Sequence, residues 1–306
     1  MTLFKTILLT FIGINFLFSG VFAQNSHPAI TDPTGFDPAY PPTMEELSFI
    51  SGGHKINGHI YIAAGEGPHP TVIMLHGFAG NEKNLDIAQA LRRSGINSLF
   101  IHYRGAWGSG GEFMIPNAVG DVGNIISNLT DPKWAKKRRV DTKTIGLLGH
   151  SFGGLIGTLA TVENKEVQCY VFKAGWNAGL RASLINSNPE TKTVVIEGIS
   201  KDIRKIGGPL YGDAEAYVND LALNADYYNI SNHVGELNTR KLLVIGGLKD
   251  MALPIDEHHR PFVKALREAG AKNMTELIID DDHSFSGSRI KLSIAVVDWF
   301  QNKCWN

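Results

Sequence analysis

The sequence predicts an α/β fold, a mainly parallel sheet with helices on both faces. Three observations predict it. Short apolar runs alternate with stretches of helical periodicity from about residue 71 onward, as parallel strands joined by crossover helices require. The 306 residues are 43% hydrophobic and 19% charged, enough apolar side chain for one large core. A glycine-flanked serine, Gly149-His150-Ser151-Phe152-Gly153, stands where an apolar run gives way to a helical stretch.

The N-terminus is separate from that fold. Lys5 precedes an apolar stretch from Ile7 to Phe22, which ends in Val21-Phe22-Ala23. It reads as a secretory signal cleaved after Ala23, giving a secreted or periplasmic protein. A membrane span needs about 20 apolar residues, and Thr10, Gly13, Asn15 and Ser19-Gly20 interrupt this one, so no stable membrane insertion is expected after cleavage. Residues 24–43, with Pro33, Pro38 and Pro41-Pro42, read as an extended lead-in to a domain spanning 44–306.

In that domain Glu46 to Ile50 and Lys55 to Ala63 read as strands around a Ser51-Gly52-Gly53 turn. Thr71 to Leu75 is a buried strand. Asn84 to Ser94 is helical, with Leu85, Ala88 and Leu91 on one face and Gly95 as its stop. Asn97 to Tyr103 is a strand, followed by a glycine-containing loop and a helix from about Asn117 to Leu129. Thr144 to Leu148 and Val167 to Lys173 are strands around a helix over Gly153 to Ala160. About Ala174 to Arg240 lacks regularity. Lys241 to Ile245 is a strand, Phe262 to Ala269 a helix face, Thr275 to Ile279 the last strand. A final helix starts near Ser288 and buries Leu292, Val296 and Trp299.

Composition removes several function classes. With 29 Lys+Arg against 30 Asp+Glu, no basic field for nucleic acid is expected. The two cysteines, Cys169 and Cys304, cannot build a disulfide framework or a cysteine-rich zinc site, and a buried free thiol is the default for Cys169. The histidines show no ligand-like spacing, so no metal site is expected. His258-His259 reads as a solvated surface pair, and His150 as a packing residue.

The chemistry lies in three places. After a buried strand, glycines around Ser151 let the chain make a strained elbow that exposes the hydroxyl at the sheet's C-terminal edge. The N–H of Phe152, opening the following helix, points at an oxyanion formed on attack. Serine needs a base, and the base an orienting carboxylate. Asp250 follows the strand at Lys241 to Ile245, and His283 follows the strand at Thr275 to Ile279, giving the order Ser, acid, His. Asp280 or Asp282 is the other candidate acid. After the early strand, His76-Gly77-Phe78-Ala79-Gly80 supplies a second oxyanion donor, the Phe78 N–H first and the Ala79 N–H second.

These motifs, with Gly247-Leu248-Lys249-Asp250 and Asp282-His283-Ser284-Phe285, resemble the α/β-hydrolase family. Tyr103 to Gly111 resembles a loop of its dienelactone-hydrolase-like and prolyl-oligopeptidase-like branches. The resemblance covers about residues 44–302 and implies an eight-stranded, mostly parallel sheet, a Ser151–His283–Asp250 triad, no cofactor and a cap insertion at about 174–240. Trp176, Tyr211, Tyr217, Tyr227 and Tyr228 lie in that insertion as candidate pocket or packing residues. Dienelactone hydrolases proper use cysteine, and the family's haloalkane dehalogenases and epoxide hydrolases use aspartate, so Ser151 argues against those activities. The expected function is hydrolysis of a small-molecule carboxylic ester through an acyl-enzyme. The alternative is a serine peptidase acting on a short peptide or aminoacyl amide, and a non-catalytic binding module is the third reading.

Overall fold

The structure is a computed structural model that describes residues 27–305; the expected signal segment and its cleavage point at Ala23 lie outside them. Strands β1 (Thr43–Ser51) and β2 (His54–Ile62) form an antiparallel hairpin. Gly52 and Gly53 close it with φ of 54° and 80°, the left-handed pair that a two-residue hairpin turn matching strand twist demands. Then follow β3 (His69–Leu75), α1 (Leu85–Arg93), β4 (Asn97–Ile101), α2 (Ile115–Thr130), α3 (Pro132–Lys137), β5 (Val140–His150), α4 (Phe152–Glu163) and β6 (Val167–Lys173). The short α3 was not anticipated; Asp131 caps it by accepting the Trp134 N–H.

The stretch expected to be irregular is helical: α5 (Ala178–Ser187), α6 (Pro189–Ile199), α7 (Ala214–Leu223), a 3-10 turn and the short α8 (Val234–Leu237). Of its helices, α6 has no fully buried residue, whereas α7 buries Ala214, Tyr217, Val218 and Leu221 on one face, the spacing of a helix packed on a core. The chain ends with β7 (Lys241–Gly247), α9 (Ile255–His258), α10 (Arg260–Glu268), β8 (Met274–Ile279) and α11 (Arg289–Trp299).

The eight strands form one sheet in the order β1-β2-β4-β3-β5-β6-β7-β8. Antiparallel pairing is confined to β1 with β2 and β2 with β4. Successive residues of the central strands feed opposite faces. Ile73, Leu75, Leu147, Phe172 and Val244 pack toward α2, α4 and α10; Val72, Met74, Leu148, Val171 and Ile245 pack toward α1 and α11. Burial on both faces is why these strands read as unbroken apolar runs.

From β3 the chain moves to β4 on one side and then returns to β5 on the other. The loops leaving β3 and β5 therefore diverge to opposite faces and open a crevice at the strands' C-terminal ends, where ligands bind in sheets of this type. The expectation of a free thiol at Cys169 is corrected: Cys169 on β6 is disulfide-bonded to Cys304, 135 residues away. The bond fastens the C-terminal turn to a central strand, and the distance along the chain explains why no local pattern announced it.

Candidate active site

Ser151 sits in that crevice, between β5 and α4, with φ 57° and ψ −117°. A non-glycine residue held there stores about 1–3 kcal/mol of strain. Backbone approach on both sides holds it. A side chain at Gly149 would lie 2.1 Å from the Gly153 carbonyl oxygen, and one at Gly153 would lie 2.2 Å from the Leu75 oxygen. Only glycine lets α4 seat its first turn against the end of β3.

The loop after β3 runs directly past the serine. A side chain at Gly77 would come within 3.0 Å of Ser151 Cβ and 3.5 Å of its Oγ. Three hydrogen bonds hold this loop: His76 Nδ1–H to Gly77 O at 2.8 Å, the Tyr103 hydroxyl to His76 O at 3.2 Å and the Trp107 indole to Ala79 O at 2.7 Å. Tyr103 and Trp107 belong to the glycine-containing loop after β4, itself tied down by buried Asp121. That carboxylate accepts the Arg104 N–H at 2.7 Å and the Arg104 Nε–H at 2.6 Å, and the Ser51 hydroxyl at 2.5 Å. Phe78 and Phe152 both line the cleft above Ser151. The Phe152 N–H opens α4, where backbone donors have no partner within the helix.

Asp250 and His283 arrive on adjacent loops. Lys249 N–H donates to Asp281 O at 2.9 Å and Leu248 N–H to Ile279 O at 2.8 Å, so the two loops share a short backbone ladder. Asp250 is buried. Its Oδ1 accepts the N–H groups of Ala252 and Leu253 at 2.9 and 2.8 Å, and its Oδ2 accepts His283 Nδ1–H at 2.7 Å. This bond assigns the His283 tautomer and leaves Nε2 as the basic nitrogen. Asp280 pairs instead with Lys249 at 3.0 Å. Asp282 accepts the Ser284 and Ser286 N–H groups at 2.9 and 3.0 Å, which hold its pKa below the usual range. Neither contacts His283 through its carboxylate; of the three candidate acids, Asp250 is the one bonded to the His283 ring.

Ser151 Oγ makes no hydrogen bond in this structure; such bonds are often long in ligand-free sites and close in the substrate complex. His150, as expected, packs: its ring lies 4.8 Å from that of His283, and its Nε2–H donates to His283 O at 3.1 Å. Burial first, and the neighbouring Lys173 second, push its pKa far down, so it is neutral.

The His258-His259 pair is a correction: both are buried. His258 Nδ1 accepts the Asn177 N–H at 3.2 Å, and His259 pairs with Glu276 at 3.0 Å. Between the floor and the helical insertion lies a cleft of about 360 Å³. Of the insertion's aromatics, Trp176 and Tyr217 line it. Tyr211 lines a separate groove, and Tyr227 and Tyr228 hydrogen-bond to Glu163 and Asp220. Sequence reading missed Val195 and Ile199 of α6, Leu253 beyond Asp250, and Arg181 of α5, all in the cleft wall. It also missed fully buried Lys173, for which one signal existed: a lysine ending an otherwise apolar strand. Among the described residues no cluster suited to a metal ion is present.

Residues 84–305 match the profile of the prolyl oligopeptidase family. The chain belongs to that family. Its fold is that of the α/β hydrolases, and membership supports a serine hydrolase. Two curated Escherichia coli proteins, each described as an uncharacterized 31.7 kDa protein in the traX-finO intergenic region, are 32% identical over 114 residues, 36% of this chain and 39% of theirs. The match thus spans well under half the length of those relatives. Similar solved structures include a Pyrococcus furiosus esterase (18% identity, 88% of this chain and 95% of that one, TM-score 0.60). The ferulic-acid-bound Est1E of Butyrivibrio proteoclasticus is another (16%, 84% and 98%, TM-score 0.59). The acylaminoacyl peptidase of Pyrococcus horikoshii is also similar over 86% of this chain but 42% of its own (18%, TM-score 0.60). At these identities the likeness is one of fold.

Proposed function

We propose that the protein is an exported serine hydrolase that cleaves small carboxylic esters. Ser151 attacks the ester carbonyl while His283 Nε2 takes its proton, and Asp250 stabilises the imidazolium. The Phe78 and Phe152 N–H groups hold the tetrahedral oxyanion; losing one such donor typically costs about 3 kcal/mol in the barrier. His283 then gives the proton to the leaving alcohol. Water, activated by the same nitrogen, resolves the acyl-enzyme. The observation that carries the reading is the Asp250–His283 bond of 2.7 Å on loops bordering a strained serine elbow. The elbow stores energy that packing alone does not call for.

The cleft favours an ester over a peptide. It is small and mostly apolar, and no acidic side chain lines it to receive a substrate amino group. Family membership is the observation on the peptidase side. Export is supported by the signal-like N-terminus and by the Cys169–Cys304 bond, since disulfides persist in oxidising compartments. The test is a parallel assay of p-nitrophenyl esters and aminoacyl or prolyl anilides with wild type and Ser151→Ala. Ester turnover lost in the variant supports the proposal. Turnover of anilides alone moves the assignment to a peptidase, and ester turnover retained in Ser151→Ala ends it.

A further inference from the structure

Arg181 is the one arginine of the described residues with no hydrogen bond, ion pair or ring contact. Each of the others has a partner: Arg104 has Asp121, Arg138 has Glu45, Arg289 has Asp86, Arg92 lies over Tyr61, and so through the set. Arg181 stands on the first turns of α5 and lines the same cleft as Ser151. The surrounding wall is apolar, made by Trp176, Val195, Ile199, Tyr217, Leu221 and Leu253. Asn177, the cap of α5, donates its N–H to His258 Nδ1 at 3.2 Å, tying the helix that carries Arg181 to the segment that follows Asp250.

We propose that Arg181 is an anion-binding residue of this cleft and that the preferred substrate is an ester carrying a carboxylate away from its scissile carbonyl. Arg181 is exposed at the cleft wall, so a neutral acyl or alcohol group leaves its guanidinium to water and gains nothing from it. A carboxylate that reaches it gains two parallel charge-assisted N–H···O bonds, geometry that the planar guanidinium fork matches. The apolar wall then sets the length and shape of the spacer, and Arg181 selects the charge at its end.

The inference rests on the hydrolase reading above, and its test separates the two. Two matched pairs are assayed: p-nitrophenyl hydrogen glutarate against p-nitrophenyl pentanoate, and 4-acetoxybenzoate against its methyl ester, each corrected for its spontaneous alkaline hydrolysis. The first pair puts the carboxylate on the acyl side, the second on the alcohol side. Wild type is expected to favour the anionic member of one pair at least tenfold in kcat/KM. Arg181→Met should lower that ratio at least tenfold, mainly through KM, and Arg181→Lys should recover part of it. Ratios near one in both pairs, or a preference untouched by Arg181→Met, overturn the inference while neutral-ester turnover leaves the hydrolase reading standing. No turnover of any of the four compounds by wild type overturns both.

Discussion

The strand ends carrying Ser151, Asp250 and His283 and the helices α5 to α7 that arch over them are held by different forces. On the floor, position is fixed by backbone. A side chain at Gly149 or Gly153 would fall little more than 2 Å from a main-chain oxygen, and Asp250 is fully engaged by two N–H groups and an imidazole. In the roof, α5 is tied by the Gly179 N–H to Tyr228 O at 2.9 Å and α7 buries Ala214, Tyr217, Val218 and Leu221, but α6 has no fully buried residue. Val194 on α6 is 65% exposed, and Arg181 has no partner. Chemistry that tolerates little misplacement sits on the part held by close backbone approach, while the cleft wall includes α6, which has no fully buried residue.

This contrast legislates unequal responses to substitution. Ser151→Ala should lower kcat/KM on activated esters by at least about 10³-fold, with unfolding unchanged or raised as the nucleophile goes. Asp250→Asn should follow with a loss of up to about 10⁴-fold, since the amide directs the wrong tautomer onto His283; steady-state kinetics checks both. Gly153→Ala should cost roughly 3 kcal/mol or more, because its methyl meets the Leu75 carbonyl rather than a yielding side chain. Urea unfolding measures it, and a loss under 1 kcal/mol would erase the distinction between floor and roof.

Lys173 gives the floor a pH dependence of its own. Burial, reinforced by Arg289, pulls its pKa down to about 7, against about 10.4 in an unfolded chain. Between those values the unfolded state holds more protons, so this group's contribution to stability grows as pH rises from 7 toward 10 and is lost on the way down. Lys173→Met should therefore raise Tm more at pH 6 than at pH 9. His150 acts in the same sense lower down: its neutral form is the native one, so stability falls as pH drops below about 6.5. The smallest effect belongs to the roof. Val194→Ala should change KM for longer acyl chains about two- to threefold and leave p-nitrophenyl acetate turnover nearly as it was.

The same division explains what could be read in the sequence. The strands were legible because burial on both faces leaves unbroken apolar runs such as Val72 to Leu75, and the elbow because close backbone approach admits only glycine. Asp250 and His283 were legible because each follows a strand end. In the roof, α6 offered little because none of its residues is fully buried, whereas the spacing of Ala214, Tyr217, Val218 and Leu221 on α7 was a helical signal that sequence reading missed. His258 and His259 look like surface polars until Asn177 and Glu276, distant in sequence, arrive beside them. Arg181 carries no local signal at all; only its missing partner and its place in the wall give it meaning.

The decisive measurement is labelling of the purified protein by a fluorophosphonate, followed by mapping of the adduct by peptide mass. One adduct on Ser151, absent from Ser151→Ala and formed far more slowly by His283→Ala, is the expected result. Labelling that persists in Ser151→Ala, or a wild-type serine that stays unmodified under conditions that leave the fold intact, would contradict it.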